Sequence, residues 1–204
     1  MARYPYRRAR DRPPVRRLAD TWHRLVFHWH TTDKGGVAFV FAFAAMLAVP
    51  ILMLAGFARF AYADHVRRVA YEQRRTDLEC LAQNVYYEGR GEPLAGQQAI
   101  AEVTLNRVAS AQFPDTVCDV VHEKRWDSVR KRYVGAFSWT ELDTLRQPKG
   151  RAWDRAFAAA RAVYDKEAAP RADGALFYHA TSIEPAWAKT KERIVKIGNH
   201  VFYR

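Results

Sequence analysis

The stretch Leu78-Glu79-Cys80-Leu81-Ala82-Gln83-Asn84-Val85-Tyr86-Tyr87-Glu88-Gly89-Arg90-Gly91-Glu92-Pro93 decides how this chain folds. From Leu78 to Glu88, Leu81, Val85 and Glu88 recur at i, i+4 and i+7, and Ala82 and Tyr86 widen the stripe, which predicts a helix. Gly89 and Gly91 then supply the permissive backbone on which helices end. Pro93 suits the first position of a second helix, so Glu92 is its expected cap. That helix is predicted to run through Gln97, Ile100, Ala101, Val103, Thr104 and Val108.

On this reading the two carboxylates sit at opposite helix poles. Glu88 ends one helix, where the backbone dipole disfavours negative charge, and Tyr86 and Tyr87 add desolvation that Arg90 would oppose. Glu92 begins the next helix, where the dipole favours the ionised form. A pair of carboxylates with separated proton affinities is a candidate acid–base site, with Glu88 the donor. The plainer reading is two solvated carboxylates flanking a turn.

N-terminal to this stretch the chain reads as membrane equipment. Residues 35–58 carry no charge over 24 positions, enough to span a bilayer even with Pro50 inside. Residues 1–34 hold nine Lys/Arg against three acids, while residues 59–79 hold five against four. That asymmetry predicts a cytoplasmic tail (1–34), a single-pass inner-membrane anchor (35–58), a helical stalk or linker (59–79) and an exported domain (80–204). A leader cleaved after Ala61-Tyr62-Ala63 is the competing reading. The arginines of the tail suit anionic headgroups, and no nucleic-acid module accompanies them, so nucleic acid is not an expected partner.

Other chemistries find little support. His122, His179 and His200 show no metal-ligand spacing, and neither a Ser-His-Asp signature nor a phosphate-binding loop is present. No metal or cofactor is expected. Downstream, residues 150–167 read as a helix, 124–132 as a basic irregular loop, and 175–180 with 193–203 as β structure turning at Gly198-Asn199.

From Cys80 onward the chain resembles the cell-wall hydrolase family that includes the spore-cortex-lytic enzymes of the SleB and CwlJ type. The resemblance lies in Leu81 through Pro93, Gly96-Gln97, Ala99 through Val103, Leu105 through Val108 and Phe113 through Cys118. It continues in Phe137-Ser138-Trp139, Tyr178-His179-Ala180 and Ile197 through Tyr203. It covers about 125 of the 204 residues, in the family's order. Gly89 stands where the family usually has alanine, and the second cysteine pair of many relatives is missing at Gly135 and Glu141.

The resemblance implies an α+β, mainly α-helical, lysozyme-like catalytic domain with a small antiparallel β element. It supports pairing of Cys80 with Cys118 in an oxidising exterior, worth roughly 4 kcal/mol for a loop of about 38 residues; two free buried thiols are the other reading. It also implies cleavage of the peptidoglycan glycan strand, with Glu88 as acid/base and Trp139, Tyr178, His179 and Trp187 as candidate sugar contacts. Those aromatics read equally as core. A lytic transglycosylase manages with Glu88 alone, whereas a lysozyme-like hydrolase needs a partner carboxylate, for which Glu102, Glu141 and Asp143 are the candidates. A non-catalytic wall-binding module is the rival from outside enzymology.

Overall fold

The computed structural model describes residues 21–24, 27, 34–128, 130–142 and 147–204, so Asp143 and most of the basic tail lie outside the described residues. The chain divides into two compact units, residues 1–65 and 66–204. Helix α1 spans Lys34–Glu88, with Pro50 inside it. The segments expected as anchor, stalk and domain helix thus belong to a single helical element. In the first unit its apolar side chains, among them Phe39, Leu47, Leu54 and Phe57, are exposed. Among the described residues α1 is the one helix long and apolar enough to cross a membrane, by length and composition.

In the second unit the last turns of α1 bury Leu81, Ala82 and Val85 of the expected stripe, together with Leu78 and Asn84, while Tyr86 and Glu88 are half-buried. Helix α2 (Leu94–Val108) buries six consecutive residues, Gly96 to Ala101, and so is covered on all sides. It packs on α3 (Val117–Val121), on α4 (Arg151–Tyr164) and on strand β4 (Arg193–Ile197). The Ala156, Ala159 and Ala160 face of α4 lets that helix approach closely. Thr116 caps α3 by accepting from the Asp119 amide at 3.1 Å. A disulfide joins Cys80 on α1 to Cys118 on α3. Tyr164 donates to Asp77 at 2.9 Å and Arg74 pairs with Asp165 at 2.7 Å, fastening α4 to α1.

Strands β3 (Phe177–Ala180), β4 (Arg193–Ile197) and β5 (His200–Tyr203) form an antiparallel sheet in the order β3-β5-β4. The expected turn is present, with Gly198 at φ 56° where a side chain would be strained. Alternation along β5 sends Phe202 into the main core and Val201 and Tyr203 to the opposite face. Phe202 is fully buried, a contribution of roughly 1.5–3 kcal/mol. The segment expected as an irregular basic loop is instead an antiparallel hairpin, β1 (Lys124–Asp127) with β2 (Arg132–Gly135). Its charges masked the strand signal, which resides in Trp126, Tyr133 and Val134, residue types that suit strands.

Candidate active site

Glu88 is the last residue of α1, and the helix closes on the bond from the Gly89 amide to Val85 O at 2.8 Å. Gly89 is buried against α2, where an added Cβ would lie 3.2 Å from Ile100 Cδ1 and 3.3 Å from Gln97 Cγ. Gly91 then takes φ 96°, which reverses the chain, and the Glu92 amide returns to Gly89 O at 3.0 Å. The break expected at the two glycines is present, and it leaves the Glu88 side chain half-buried.

Among the described residues, one side-chain donor serves that carboxyl. Tyr178 on β3 donates its hydroxyl to Glu88 Oε2 at 3.1 Å. Burial raises the Glu88 pKa above the usual carboxylate range, opposed by the Tyr178 hydrogen bond and by the positive field of Arg107. No ion pair to Glu88 forms among the described residues. Burial likewise pushes the Tyr178 phenol well above its ordinary value, so it remains a neutral donor. Arg107 is buried on α2. Its Nε donates to Leu176 O at 2.8 Å, and its guanidinium lies 5.1 Å from the ring centres of both Phe113 and Phe137. An arginine held this way supplies charge without neutralising Glu88 by contact.

Glu92 does not cap α2; that position belongs to Pro93, which makes no side-chain cap bond. The Glu92 side chain, 6% exposed, reaches across to the β4–β5 turn instead. It accepts from the Asn199 amide at 3.0 Å and from Asn199 Nδ2 at 3.1 Å. The physical reason is competition between acceptors and donors. The turn amide is fixed and pointed at the carboxylate, and a Cβ on Gly198 would collide with Glu92 Oε2. His200 follows, with Nδ1 3.5 Å from Glu92 Oε1 and its ring edge-on to Tyr178 at 5.4 Å. Burial lowers the His200 pKa, with Glu92 opposing. Both glutamates of the turn are therefore tied to one sheet, Glu88 through β3 and Glu92 through the β4–β5 turn.

Of the other expected contacts, Tyr178 alone reaches Glu88. His179, its neighbour on β3, points to the other face, where Nε2 meets the Tyr203 hydroxyl at 2.9 Å and the ring stacks on Tyr203. Trp187 lies on that same face, 5.6 Å from His179 and 5.5 Å from Tyr203. Trp139 is 8% exposed and sits in the core. It stacks on Tyr87 at 4.7 Å and donates Nε1 to Asn84 Oδ1 at 3.0 Å, and Asn84 in turn donates to Thr104 at 3.1 Å. That buried network stiffens the α1 turn one step before Glu88. Alternation along β3 separates Tyr178 from His179, and this could have been read from the strand pattern; the Glu92–Asn199 contact, 107 positions apart, could not.

Two of the three candidate partner carboxylates, Glu102 and Glu141, are occupied elsewhere, and Asp143 lies outside the described residues. Glu102 Oε2 accepts from the amides of Arg171 at 2.7 Å and Ala172 at 3.0 Å. Glu141 accepts from the Gly135 amide at 2.7 Å and pairs with Arg132 at 2.9 Å; the Gly135 bond, then Arg132, holds its pKa down. Among the described residues no cluster of three or more His, Cys, Asp or Glu side chains is placed to hold a metal ion.

Residues 91–203 match the family model described as cell wall hydrolase. A spore cortex-lytic enzyme of Bacillus cereus is 32% identical over 131 residues, 63% of this chain and 44% of that protein. One from Oceanobacillus iheyensis is 33% identical over 129 residues, 63% of this chain and 41% of that protein. The chain thus matches less than half the length of these curated relatives. Among solved structures, the catalytic domain of the germination-specific lytic transglycosylase SleB from Bacillus anthracis is 32% identical. It covers 63% of this chain and 93% of that domain, with a TM-score of 0.51. The chain belongs to the cell wall hydrolase family.

Proposed function

We propose that this cell wall hydrolase family member cuts peptidoglycan glycan strands as a lytic transglycosylase, with Glu88 as its single acid and base. The observation that carries the reading is a half-buried carboxyl at a helix end, raised in pKa, with a neutral phenol and no cation in contact. Breaking the bond between muramic acid C1 and the glucosamine oxygen requires a proton for that oxygen. With Tyr178 donating to Oε2, the acidic proton of Glu88 resides on Oε1, which fixes the oxygen that meets the substrate. Once the proton is transferred, the Tyr178 bond and the Arg107 field stabilise the carboxylate. The sugar cation at C1 then closes on its own C6 hydroxyl, whose proton returns to Glu88, and a 1,6-anhydro ring forms without water. The commitment of Glu102 and Glu141 to backbone amides favours this one-acid route over hydrolysis by a carboxylate pair.

The charge asymmetry of the sequence and the length and composition of α1 support the following setting. The uncharged stretch 35–58 anchors the chain in the inner membrane, the basic tail stays cytoplasmic, and the lysozyme-like catalytic domain is exported. The disulfide between Cys80 and Cys118 suits an oxidising compartment. Mass spectrometry of muropeptides released from sacculi by the full chain tests the chemistry. Anhydro ends that disappear in Glu88→Gln are the expected result. Reducing ends would replace the transglycosylase by a hydrolase, and undiminished cleavage by Glu88→Gln would remove Glu88 from the reaction.

A further inference from the structure

Trp126 and Tyr133 are directly opposite one another on the β1–β2 hairpin, with ring centres 5.3 Å apart at 71°. They are 56% and 64% exposed. Tyr71 on α1 aside, the other described Phe, Tyr and Trp residues of the second unit are buried or half-buried, so this adjacent pair stands apart from the other rings of the packed domain. The hairpin is held from its other side. Arg125 lies 4.5 Å from the Phe113 ring centre and pairs with Glu123 at 2.7 Å. The Gly135 amide and Arg132 are both held by Glu141. At the turn, Asp127 accepts from the Arg130 amide at 2.9 Å. Strand alternation puts Lys124 on the Trp126 side. Lys124 and Lys131 are exposed and form no ion pair among the described residues.

We propose that this hairpin face is a second contact for the glycan strand, in which Trp126 and Tyr133 stack on sugar rings and Lys124 and Lys131 attract stem-peptide carboxylates. The inference rests on the reading of peptidoglycan as substrate. Pyranose rings present an apolar face of C–H groups, and exposed aromatic rings are the side chains that cover such a face while tolerating water at their edges. A strand carrying regular carboxylates complements the unpaired lysines. The short chain connection from the hairpin to the candidate active site favours the glycan over a lipid surface. Strand β2 leads through Phe137 into Trp139, which stacks on Tyr87 beside Glu88.

The test uses the full chain carrying Glu88→Gln, solubilised in detergent, so that binding to sacculi is read without cutting. Replacing Trp126 and Tyr133 together by threonine, which keeps strand propensity, is expected to weaken co-sedimentation about tenfold, about 1.4 kcal/mol. The exchange Trp126→Tyr with Tyr133→Trp is expected to bind like the parent. Lys124→Gln with Lys131→Gln is expected to weaken binding at low salt only, because screening removes that attraction. Undiminished binding by the threonine pair overturns the proposal, as does a loss confined to the lysine variant, which means ion exchange alone. In proteoliposomes, hydrogen exchange over residues 124–135 is expected to slow on adding glycan strands. Slowing by phosphatidylglycerol instead assigns the face to the membrane surface and overturns it. Failure of the Glu88→Gln parent itself to bind sacculi sinks the substrate reading and this proposal with it; loss confined to the hairpin variants supports both.

Discussion

Removing the Glu92 carboxylate should loosen the sheet before it touches the chemistry. Glu92 accepts two hydrogen bonds from Asn199, and a bond to a charged acceptor contributes roughly 1.5–3 kcal/mol. Asn199 is exposed, so water satisfies its donors when the carboxylate goes, which cuts the net loss to about 2–3 kcal/mol for Glu92→Ala. Glu92→Gln keeps one acceptor oxygen and loses the charge, and should cost about 1 kcal/mol. At roughly 3–5 °C per kcal/mol for a unit of this size, thermal melts of the full chain in detergent resolve the two variants. Near-UV circular dichroism is the suitable signal, because Tyr178, Phe202 and Tyr203 belong to the sheet that Glu92 braces. A Glu92→Ala melt within 1 °C of the parent would show that the turn holds itself. A glutamine variant as damaged as the alanine variant would show that charge, rather than the acceptor geometry, sets the effect.

Three further outcomes follow from the same contacts. Tyr178→Phe removes a bond that stabilises the Glu88 anion, so the Glu88 pKa should rise further and the alkaline limb of the pH–rate profile should move to higher pH; a limb that stays or moves down refutes the assignment. In the parent, folded Glu88 holds its proton above the pH at which the unfolded chain releases it, so stability must fall as pH rises from the ordinary carboxylate range through the raised pKa. Glu88→Gln escapes that loss and should gain on the parent as pH rises above the ordinary carboxylate range, whereas parallel stability curves would show the carboxyl is not perturbed. Replacing Cys80 and Cys118 by alanine should cost roughly 4 kcal/mol for the loop they close, read from denaturant melts against the oxidised parent, and a loss under 1 kcal/mol would mean the unfolded chain gains little freedom.

Much of the helical frame was legible because it rests on local signals. The Leu81, Val85, Glu88 spacing gave the end of α1, the two glycines gave the break, and Gly198-Asn199 gave the β4–β5 turn. What stayed hidden depends on contacts between distant residues. Glu92 had an obvious local task as a helix cap, and only the folded sheet offers it the better donors of Asn199. Arg107 offers no local sign of its surroundings, and its place between Phe113 and Phe137 depends on three separate segments meeting. The β1–β2 hairpin was obscured because charge dominates its composition, while its two facing aromatics, Trp126 and Tyr133, lie seven positions apart.

The turn between α1 and α2 places two chemically identical side chains four positions apart, and their neighbours, not their spacing, assign them different work. Glu92 faces amide donors and a nearly dry environment, and so holds a turn in place. Glu88 faces a phenol that cannot easily ionise and an arginine kept out of contact, which permits the acid to exist without blocking the anion. A salt bridge to Glu88 would have made a stable helix end and a poor proton donor. Holding Arg107 by Leu176 O and two aromatic rings avoids that outcome while keeping its field in range. The same reasoning fixes what a rescue experiment must preserve. Moving the cation to position 178, as in Tyr178→Lys, should neutralise Glu88 directly, lower its pKa and abolish cleavage at neutral pH, with near-UV circular dichroism checking that the sheet still forms. Cleavage that survives this substitution would mean that the proton comes from elsewhere.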